Sequence, residues 1–263
     1  MTPILAYHNI NRDFEWGINT VSPKTFEKQI SYLAEHGYRT IKLSEYVNDQ
    51  IIPDKPVIIT FDDAYKSIHK YAFPILKRYG YTATLFVITE YVGKKNLWDN
   101  NLGGKTQEHL SWRDIEYLAS AGWEIGSHTA THPDLTRLIY DDCYDELNAS
   151  KKRLERQLGI RTAFLSYPFN RYNLSVIEIA KMVGYRGGCC LAPDRKIPAE
   201  DADFVISRRG VYSIDRFLGI RSKLSNSTLG KIEDARQRVI SAFSKGTIYY
   251  KPVSYTHLTL PTN

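Results

Sequence analysis

Cysteine is scarce in this sequence, which has three among its 263 residues, and two of them, Cys189 and Cys190, are adjacent. Adjacent cysteines cannot easily pair without strain, so the sequence predicts neither a disulfide framework nor a cysteine-based zinc site. No apolar run approaches the roughly 20 residues of a transmembrane helix, and the first residues lack the basic and apolar regions of a signal peptide. The sequence as it stands therefore predicts a cytoplasmic protein, or an envelope or secreted one if an export signal precedes it.

Clusters of basic residues are also lacking, although Lys and Arg (35) outnumber Asp and Glu (29) and give a net charge of +6. Without such a cluster the sequence does not favour a nucleic-acid partner, and the positive excess favours acidic partners such as envelope polymers. Aromatic residues are frequent at 13%, with 19 Tyr and 4 Trp. This content fits either a surface that stacks on sugars or an aromatic-rich core.

Residues 56–63 combine a short β-branched run with two adjacent carboxylates, Asp62 and Asp63. The run predicts a strand buried on both faces, and the carboxyl ends of such strands are where α/β proteins build their sites. Two neighbouring carboxylates repel each other, so a cation or a shared proton is expected to hold them together. The alternative is a solvated turn in which Asp63 caps a helix over residues 64–78.

Strands and helices alternate along the chain with short connections, which predicts an α/β fold with a parallel sheet, open or closed into a barrel. The length allows one large α/β domain or two small ones, and we expect a single domain at residues 1–252. Strands are predicted at residues 3–7, 38–43, 57–61, 83–88, 123–125, 163–166, 185–191 and 204–211, and helices at residues 23–36, 44–49, 64–78, 111–119, 141–158, 175–183 and 229–243.

A second motif follows the strand predicted at residues 123–125, where His128 and His132 are four residues apart. Histidines at this spacing share one face of a helical turn and can bind one metal ion. Alone, they could equally be two unrelated surface histidines. At the same sheet edge as Asp62 and Asp63, two imidazoles and one carboxylate would leave an open position on zinc for water. The other carboxylate could then act as the base on that water.

These two motifs, together with Leu110-Ser111-Trp112 and residues 122–126, resemble the polysaccharide deacetylase family, also called the NodB-homology domain or carbohydrate esterase family 4. The resemblance extends from about Tyr7 to Arg209. It implies a distorted (β/α) barrel and removal of acetyl groups from N-acetylated sugars, with a divalent metal, expected to be zinc, as cofactor. Residue by residue, it implies the following roles: metal ligands Asp63, His128 and His132, catalytic base Asp62, and Thr129 as the brace of the histidine loop.

Residues 163–169 supply a third motif, which ends in Tyr167-Pro168-Phe169. This version resembles the branch of the family that acts on poly-β-1,6-N-acetylglucosamine, and the resemblance implies that the backbone N–H of Phe169 helps to bind the oxyanion. An apolar strand that ends in a turn would explain the same residues. Many family members have Arg at the position of Ser166. The candidates for substrate binding are His8, Trp98, Tyr167, Pro168 and Arg209.

Two further departures from the family pattern, and the end of the sequence, matter for activity. Ala64 stands where Gly is usual, and it either has ordinary helical geometry or perturbs the loop. The Leu-x-His motif that supplies the general acid is not evident, which leaves His8 as a candidate. Residues 253–263 resemble the translation of a sequencing adapter, so we expect the true product to diverge near Pro252 and His257 not to be catalytic.

The sequence thus predicts a metal-dependent hydrolase that deacetylates a glycan containing N-acetylglucosamine. Two alternatives remain. One is a glycoside hydrolase that pairs Asp62 with Asp99 or Glu124, and the other is a catalytically impaired glycan-binding module of the same fold. Arg208 and Arg209 could bind substrate or pair with Asp62, although a solvated or structural role is favoured.

Overall fold

The computed structural model describes residues 2–12, 18–48, 53–96, 106–191, 197–215, 217–225, 230, 232–237 and 239–240. Trp98, Asp99 and the tail at 253–263 lie outside these ranges. Within them the strands are β1 (Ile4–Tyr7), β2 (Asn9–Ile10), β3 (Thr20–Val21), β4 (Arg39–Thr40), β5 (Pro56–Phe61), β6 (Thr84–Val87), β7 (Glu124–Ser127), β8 (Phe164–Ser166), β9 (Gly187–Leu191) and β10 (Ile206–Gly210).

The main sheet is parallel and closes on itself. Its strand order is β1-β10-β9-β8-β7-β6-β5, and β1 also pairs with β5, so seven strands form a barrel. Strand β4 pairs with the amino-terminal end of β5, and β2 and β3 form a separate pair. The closed form of the expected α/β fold is therefore confirmed, and every strand of the barrel directs its carboxyl end to the same rim.

Helices surround the barrel, and most of them lie at the predicted positions. They are α1 (Pro23–Glu35), α2 (Leu43–Val47), α3 (Phe73–Arg78), α4 (Trp112–Ser120), α5 (Tyr140–Leu158), α6 (Leu174–Val183) and α7 (Phe217–Leu224), and the described residues from 230 to 240 are also helical. Ser22 begins α1 by accepting a hydrogen bond from the N–H of Thr25 at 3.1 Å, as its N-cap pattern indicates. None of the helices in the described ranges is long and apolar enough to cross a membrane.

Two predicted elements differ from the structure. The helix expected over residues 64–78 is an irregular turn, a π-helical turn at Ile68–Ala72 and then α3. Its start is displaced because Asp63 and Ala64 have positive φ angles (68° and 54°), which an α-helix cannot contain. Its interruption before Pro74 follows from the proline ring. The strand expected over residues 38–43 contains only Arg39 and Thr40.

The barrel interior is filled by large apolar side chains, which include Phe86 and Phe164. A glycine in β7 makes room for one of them, since a Cβ at Gly126 would lie 2.5 Å from the Phe86 ring. Outside the barrel, Phe61 stacks on Trp123 with their ring centroids 5.5 Å apart. The interior is therefore largely apolar, and a charged side chain buried there needs an oppositely charged or hydrogen-bonding partner.

Candidate metal centre and active site

Asp63, His128 and His132 converge at the barrel rim and are all buried. Asp63 follows β5, and the two histidines follow β7. The Oδ1 atom of Asp63 lies 3.4 Å from Nε2 of His128 and 3.8 Å from Nε2 of His132. This oxygen is buried and has no hydrogen-bond partner in the described part of the chain. A buried oxygen between two imidazole nitrogens is the donor set that suits a divalent cation such as zinc.

The orientation of His128 is set by a contact on its far nitrogen. Its Nδ1 lies 2.7 Å from the carbonyl oxygen of Ser166, at the end of β8. Donation to that carbonyl leaves Nε2 as the lone-pair nitrogen, the arrangement typical of a metal-bound histidine. Burial lowers the pKa of His128, but Asp63 and Asp62 raise it, and the net pKa lies above the usual value.

The loop that carries the two histidines is not the helical turn that their spacing predicts. Thr129 and His132 have φ angles of 68° and 64°, so a tight loop with left-handed residues brings the rings to a centroid distance of 4.7 Å. The Oγ1 of Thr129 accepts a hydrogen bond from the N–H of His132 at 3.0 Å, the contact expected of a residue that braces the loop. Glu146 on α5 accepts hydrogen bonds from the N–H and the hydroxyl of Thr131.

Left-handed residues other than glycine are concentrated around this centre. Six occur in the described ranges, and all lie on three rim loops: Asp63, Ala64, Thr129, His132, Phe169 and Asn170. Each such residue costs of the order of 1 kcal/mol or more, and strain of this kind clusters at functional sites. For Ala64, the structure excludes the expected alternative of ordinary helical geometry.

Asp62 forms a buried ion pair with Arg208 of β10. Nη1 and Nη2 of Arg208 donate to Oδ1 and Oδ2 of Asp62, each at 2.8 Å, and Asp62 and Arg208 are 3% and 2% exposed. The solvated turn is therefore wrong as an interpretation of Asp62 and Asp63. For Arg208 the alternative of pairing with Asp62 is confirmed, and a solvated role is wrong. Burial raises the pKa of Asp62, but Arg208, His128 and His8 lower it further, and the net pKa lies far below its usual range.

The Asp62–Arg208 pair also contacts two hydroxyl groups inside the barrel. Arg208 donates to Oγ1 of Thr60 at 3.1 Å and to Oγ of Ser166 at 2.8 Å, and Ser166 donates to Asp62 at 3.3 Å. The guanidinium also lies 5.2 Å from the centroid of the Phe86 ring. Ser166 stands at the position for which the family resemblance implies Arg, and the guanidinium beside it comes from Arg208 on β10 instead.

The third motif lies beside the metal centre, but its residues differ in placement. The ring of Phe169 is in edge contact with His132, with centroids 4.6 Å apart. Tyr167 is buried, and its hydroxyl donates to the carbonyl of Phe204 at 3.0 Å. Pro168 is buried as well. Of the three, Phe169 makes direct contact with a candidate metal ligand.

The remaining candidates are divided between the rim and distant positions. Nε2 of His8 lies 4.0 Å from Oδ2 of Asp62, within the site. Arg209 instead pairs with Asp234 at 2.9 Å and donates to the carbonyls of Lys223 and Ser225. Its guanidinium therefore holds the C-terminal helical residues against β10, and this geometry does not support its predicted contact with substrate.

Glu124, a carboxylate that the glycosidase alternative needs, lies at the opposite end of the barrel. It is the first residue of β7 and accepts hydrogen bonds from the N–H groups of Leu43 and Ser44, at 2.9 and 3.2 Å. These contacts cap the amino end of α2. The structure therefore excludes Glu124 as a partner of Asp62 in catalysis.

Two supporting residues have no recognisable signal in the sequence. His109 places its Nδ1 2.7 Å from the backbone carbonyl of Asp63 and stacks on Tyr65 at a centroid distance of 5.0 Å. Glu146 is one of several acidic residues in α5, which an amphipathic pattern does not distinguish. Both contact the loops that carry the candidate metal ligands, although they lie 46 and 15 residues away from their partners in sequence.

Comparisons with known proteins agree with this geometry. A family model described as polysaccharide deacetylase matches residues 49–188, more than half of the chain. A putative polysaccharide deacetylase of Bacillus subtilis is 32% identical over 232 residues, which cover 87% of this chain and 74% of that protein. A poly-β-1,6-N-acetyl-D-glucosamine N-deacetylase of Staphylococcus aureus is 28% identical and matches 72% of this chain and 67% of its own length.

A solved structure shows the same likeness in three dimensions. The deacetylase PplD of Streptococcus pyogenes, determined in complex with acetate, has a TM-score of 0.72 and 26% identity to this chain. The match covers 85% of this chain and 98% of the other. With the barrel, the rim motifs and these matches together, the chain belongs to the polysaccharide deacetylase family.

Proposed function

We propose that this protein is a metal-dependent hydrolase that removes N-acetyl groups from a polysaccharide containing N-acetylglucosamine. The observation that carries the proposal is the buried group of Asp63, His128 and His132 with a second carboxylate, Asp62, directly beside it. A ligand set next to a separate base is what metal-assisted hydrolysis of an amide requires. The name of the Staphylococcus aureus relative and the acetate in the Streptococcus pyogenes structure support this substrate class.

Zinc is the metal that we propose, held by Asp63, His128 and His132. Two nitrogens and one oxygen form a three-ligand set of the catalytic type. When bound, zinc supplies a Lewis acid for the acetamide carbonyl and lowers the pKa of a water molecule. The unpartnered Oδ1 of Asp63 is the atom in the described site that most needs such a cation.

The protein's own groups supply the proton transfers and the charge stabilisation. Arg208 lowers the pKa of Asp62 and so keeps it ionised, which leaves the carboxylate able to accept a proton from the attacking water but makes it a weak base. The N–H of Phe169 donates to the acetamide oxygen as negative charge develops there. His8, whose Nε2 lies 4.0 Å from Oδ2 of Asp62, is our candidate to bind the sugar or to donate a proton to the leaving nitrogen. The products are acetate and a free amine on the glycan.

The test is acetate release from β-1,6-linked N-acetylglucosamine oligomers, with a chelator and with zinc added back. Asp63→Ala should abolish release. Asp54→Ala should not, because Asp54 is an exposed residue beyond the other end of β5. Release that a chelator stops and zinc restores would support the proposal. New reducing ends that form without metal would support a glycoside hydrolase, and glycan binding without acetate would indicate an impaired binding module.

A further inference from the structure

The turn that follows β8 contains two consecutive residues in a backbone region that side chains disfavour. Phe169 has φ 54° and ψ 18°, and Asn170 has φ 55°. Asn tolerates this region better than most residues, but a bulky residue such as Phe is an outlier there. The turn must therefore be held by contacts around it.

The side chain of Asn170 makes such a contact with the neighbouring strand. Its Nδ2 donates to the carbonyl of Leu191, and its Oδ1 accepts from the N–H of the same residue, both at 2.7 Å. Leu191 is the last residue of β9. One amide side chain thus pairs with both backbone groups of one strand residue.

This pairing takes over where the backbone ladder stops. Strands β8 and β9 pair up to Ser166 and Cys189, and the N–H of Tyr167 then donates to the carbonyl of Cys189 at 3.1 Å. In a parallel ladder alternate residues bond to the same neighbour, so the next donor toward β9 would be the N–H of Phe169, and the left-handed conformation of Phe169 ends the ladder there. The Asn170 amide supplies the donor and the acceptor that the main chain no longer offers, and it does so one residue beyond Phe169.

We propose that Asn170 is a positioning residue for deacetylation. Its two hydrogen bonds to Leu191, which we call the Asn170 clamp, hold the peptide of Phe169 where its N–H can donate to the developing oxyanion. This inference rests on the proposed function. The proline ring restricts the backbone before the Phe169 N–H, and the clamp fixes the backbone after it. A displacement of about 1 Å in a reacting group can lower the rate by about 10²-fold, so a loosened turn should affect the chemical step.

Asn170→Gly is the informative substitution, because glycine keeps the left-handed backbone and removes only the amide. We expect kcat for acetate release to fall at least tenfold, with KM within twofold and the zinc content unchanged. Asn170→Asp should also lower kcat, since its carboxylate can accept from the Leu191 N–H but is repelled by the Leu191 carbonyl.

The matched control is Asn173→Gly on the same loop. Asn173 caps α6 by accepting a hydrogen bond from the N–H of Val176 at 2.9 Å, and glycine is a tolerated cap residue. Its kcat should equal that of the wild type. A loss of kcat in Asn173→Gly as large as that in Asn170→Gly would show a general effect of loop stability and overturn the inference.

A second measurement does not depend on turnover. The ¹⁵N order parameter of the Phe169 amide should be near the rigid value of about 0.85 in the wild type and in Asn173→Gly, and clearly lower in Asn170→Gly. A rigid Phe169 amide in Asn170→Gly, or wild-type kcat in that variant, overturns the inference. Absence of acetate release from the wild type would instead contradict the proposed function, and the order parameters would still decide whether the clamp exists.

Discussion

The contact between Arg208 and Asp62 joins residues 146 positions apart and places two opposite charges inside the barrel. The planar guanidinium holds both carboxylate oxygens at once, which an ammonium group cannot do. We expect Arg208→Lys to keep the charge but release the orientation of Asp62. The kcat for acetate release should fall by about 10²-fold, with a lower melting temperature, as measured by steady-state kinetics and thermal unfolding.

The adjacent arginine provides the contrast for this prediction. Arg209 points to the other side of β10 and pairs with Asp234 at 2.9 Å. Arg209→Lys should lower stability without a change in kcat or KM per folded molecule. A rise in KM for Arg209→Lys would support the predicted contact of Arg209 with substrate. An unchanged kcat for Arg208→Lys would show that the orientation of Asp62 does not limit the reaction.

The strained backbone at Ala64 leads to a prediction about stability. Its φ of 54° is a conformation that glycine adopts at no steric cost, whereas it costs an L-residue roughly 1–2 kcal/mol. Ala64→Gly should therefore raise the free energy of unfolding by up to about 1 kcal/mol, with activity retained. Ala72→Gly, at a position with ordinary helical φ (−72°), should lower it by about 0.5–1 kcal/mol. Denaturant titration measures both, and a loss of stability in Ala64→Gly would contradict the strain argument.

At the scale of elements, helix α5 supports the candidate metal centre through a half-buried carboxylate. Glu146 accepts from both the N–H and the hydroxyl of Thr131, in the loop between the two histidines. Both Thr131 bonds reach one oxygen of Glu146, and the Thr129 hydroxyl and the Ala130 N–H also donate to this carboxylate. Glu146→Gln replaces one oxygen by an NH₂ group, which must face some of these donors, so the loop should shift and zinc affinity should fall by about 10–100-fold. Competition with a chromophoric chelator measures the affinity. Asp145→Asn, at the exposed neighbouring position, should bind zinc as the wild type does.

The part of the site that could be predicted from sequence consists of local patterns at strand ends. Asp62 and Asp63 follow a buried β-branched run, and His128 and His132 lie four residues apart after another strand. A parallel sheet brings such ends to one edge, which is why the approach of these groups could be expected without coordinates.

What could not be predicted depends on the closure of the barrel and on the details of its loops. Arg208 reaches Asp62 only because β10 pairs with β1 and β1 with β5. Consecutive side chains of a barrel strand alternate between the interior and the exterior, so the register of β10 decides whether Arg208 or Arg209 points inward. Likewise, His109 meets the Asp63 carbonyl through an isolated bridge between residues 65 and 109. Such pairings leave no periodic pattern in the sequence.

For the whole molecule, the proposed metal site predicts that the free energy of unfolding depends on metal. An ion that binds the folded chain and not the unfolded chain raises the free energy of unfolding by about 2.7 kcal/mol at 100 times its dissociation constant. For a protein of this size, each kcal/mol corresponds to roughly 2–4 °C in melting temperature. We therefore expect zinc to raise the melting temperature of the wild type by about 5–10 °C, as measured by differential scanning fluorimetry.

The isosteric variants Asp63→Asn and Asp62→Asn should respond differently to zinc in this measurement, because Asp63 is the proposed ligand and Asp62 the proposed base. Asp63→Asn removes the charge of the buried oxygen that lies 3.4 Å from His128, so zinc should no longer raise its melting temperature. Asp62→Asn weakens the pair with Arg208 and should melt lower without metal. Its ligand set is intact, so zinc should still raise its melting temperature, although acetate release is lost. If instead Asp62→Asn lost the zinc effect and Asp63→Asn kept it, the two aspartates would have exchanged roles relative to the proposal.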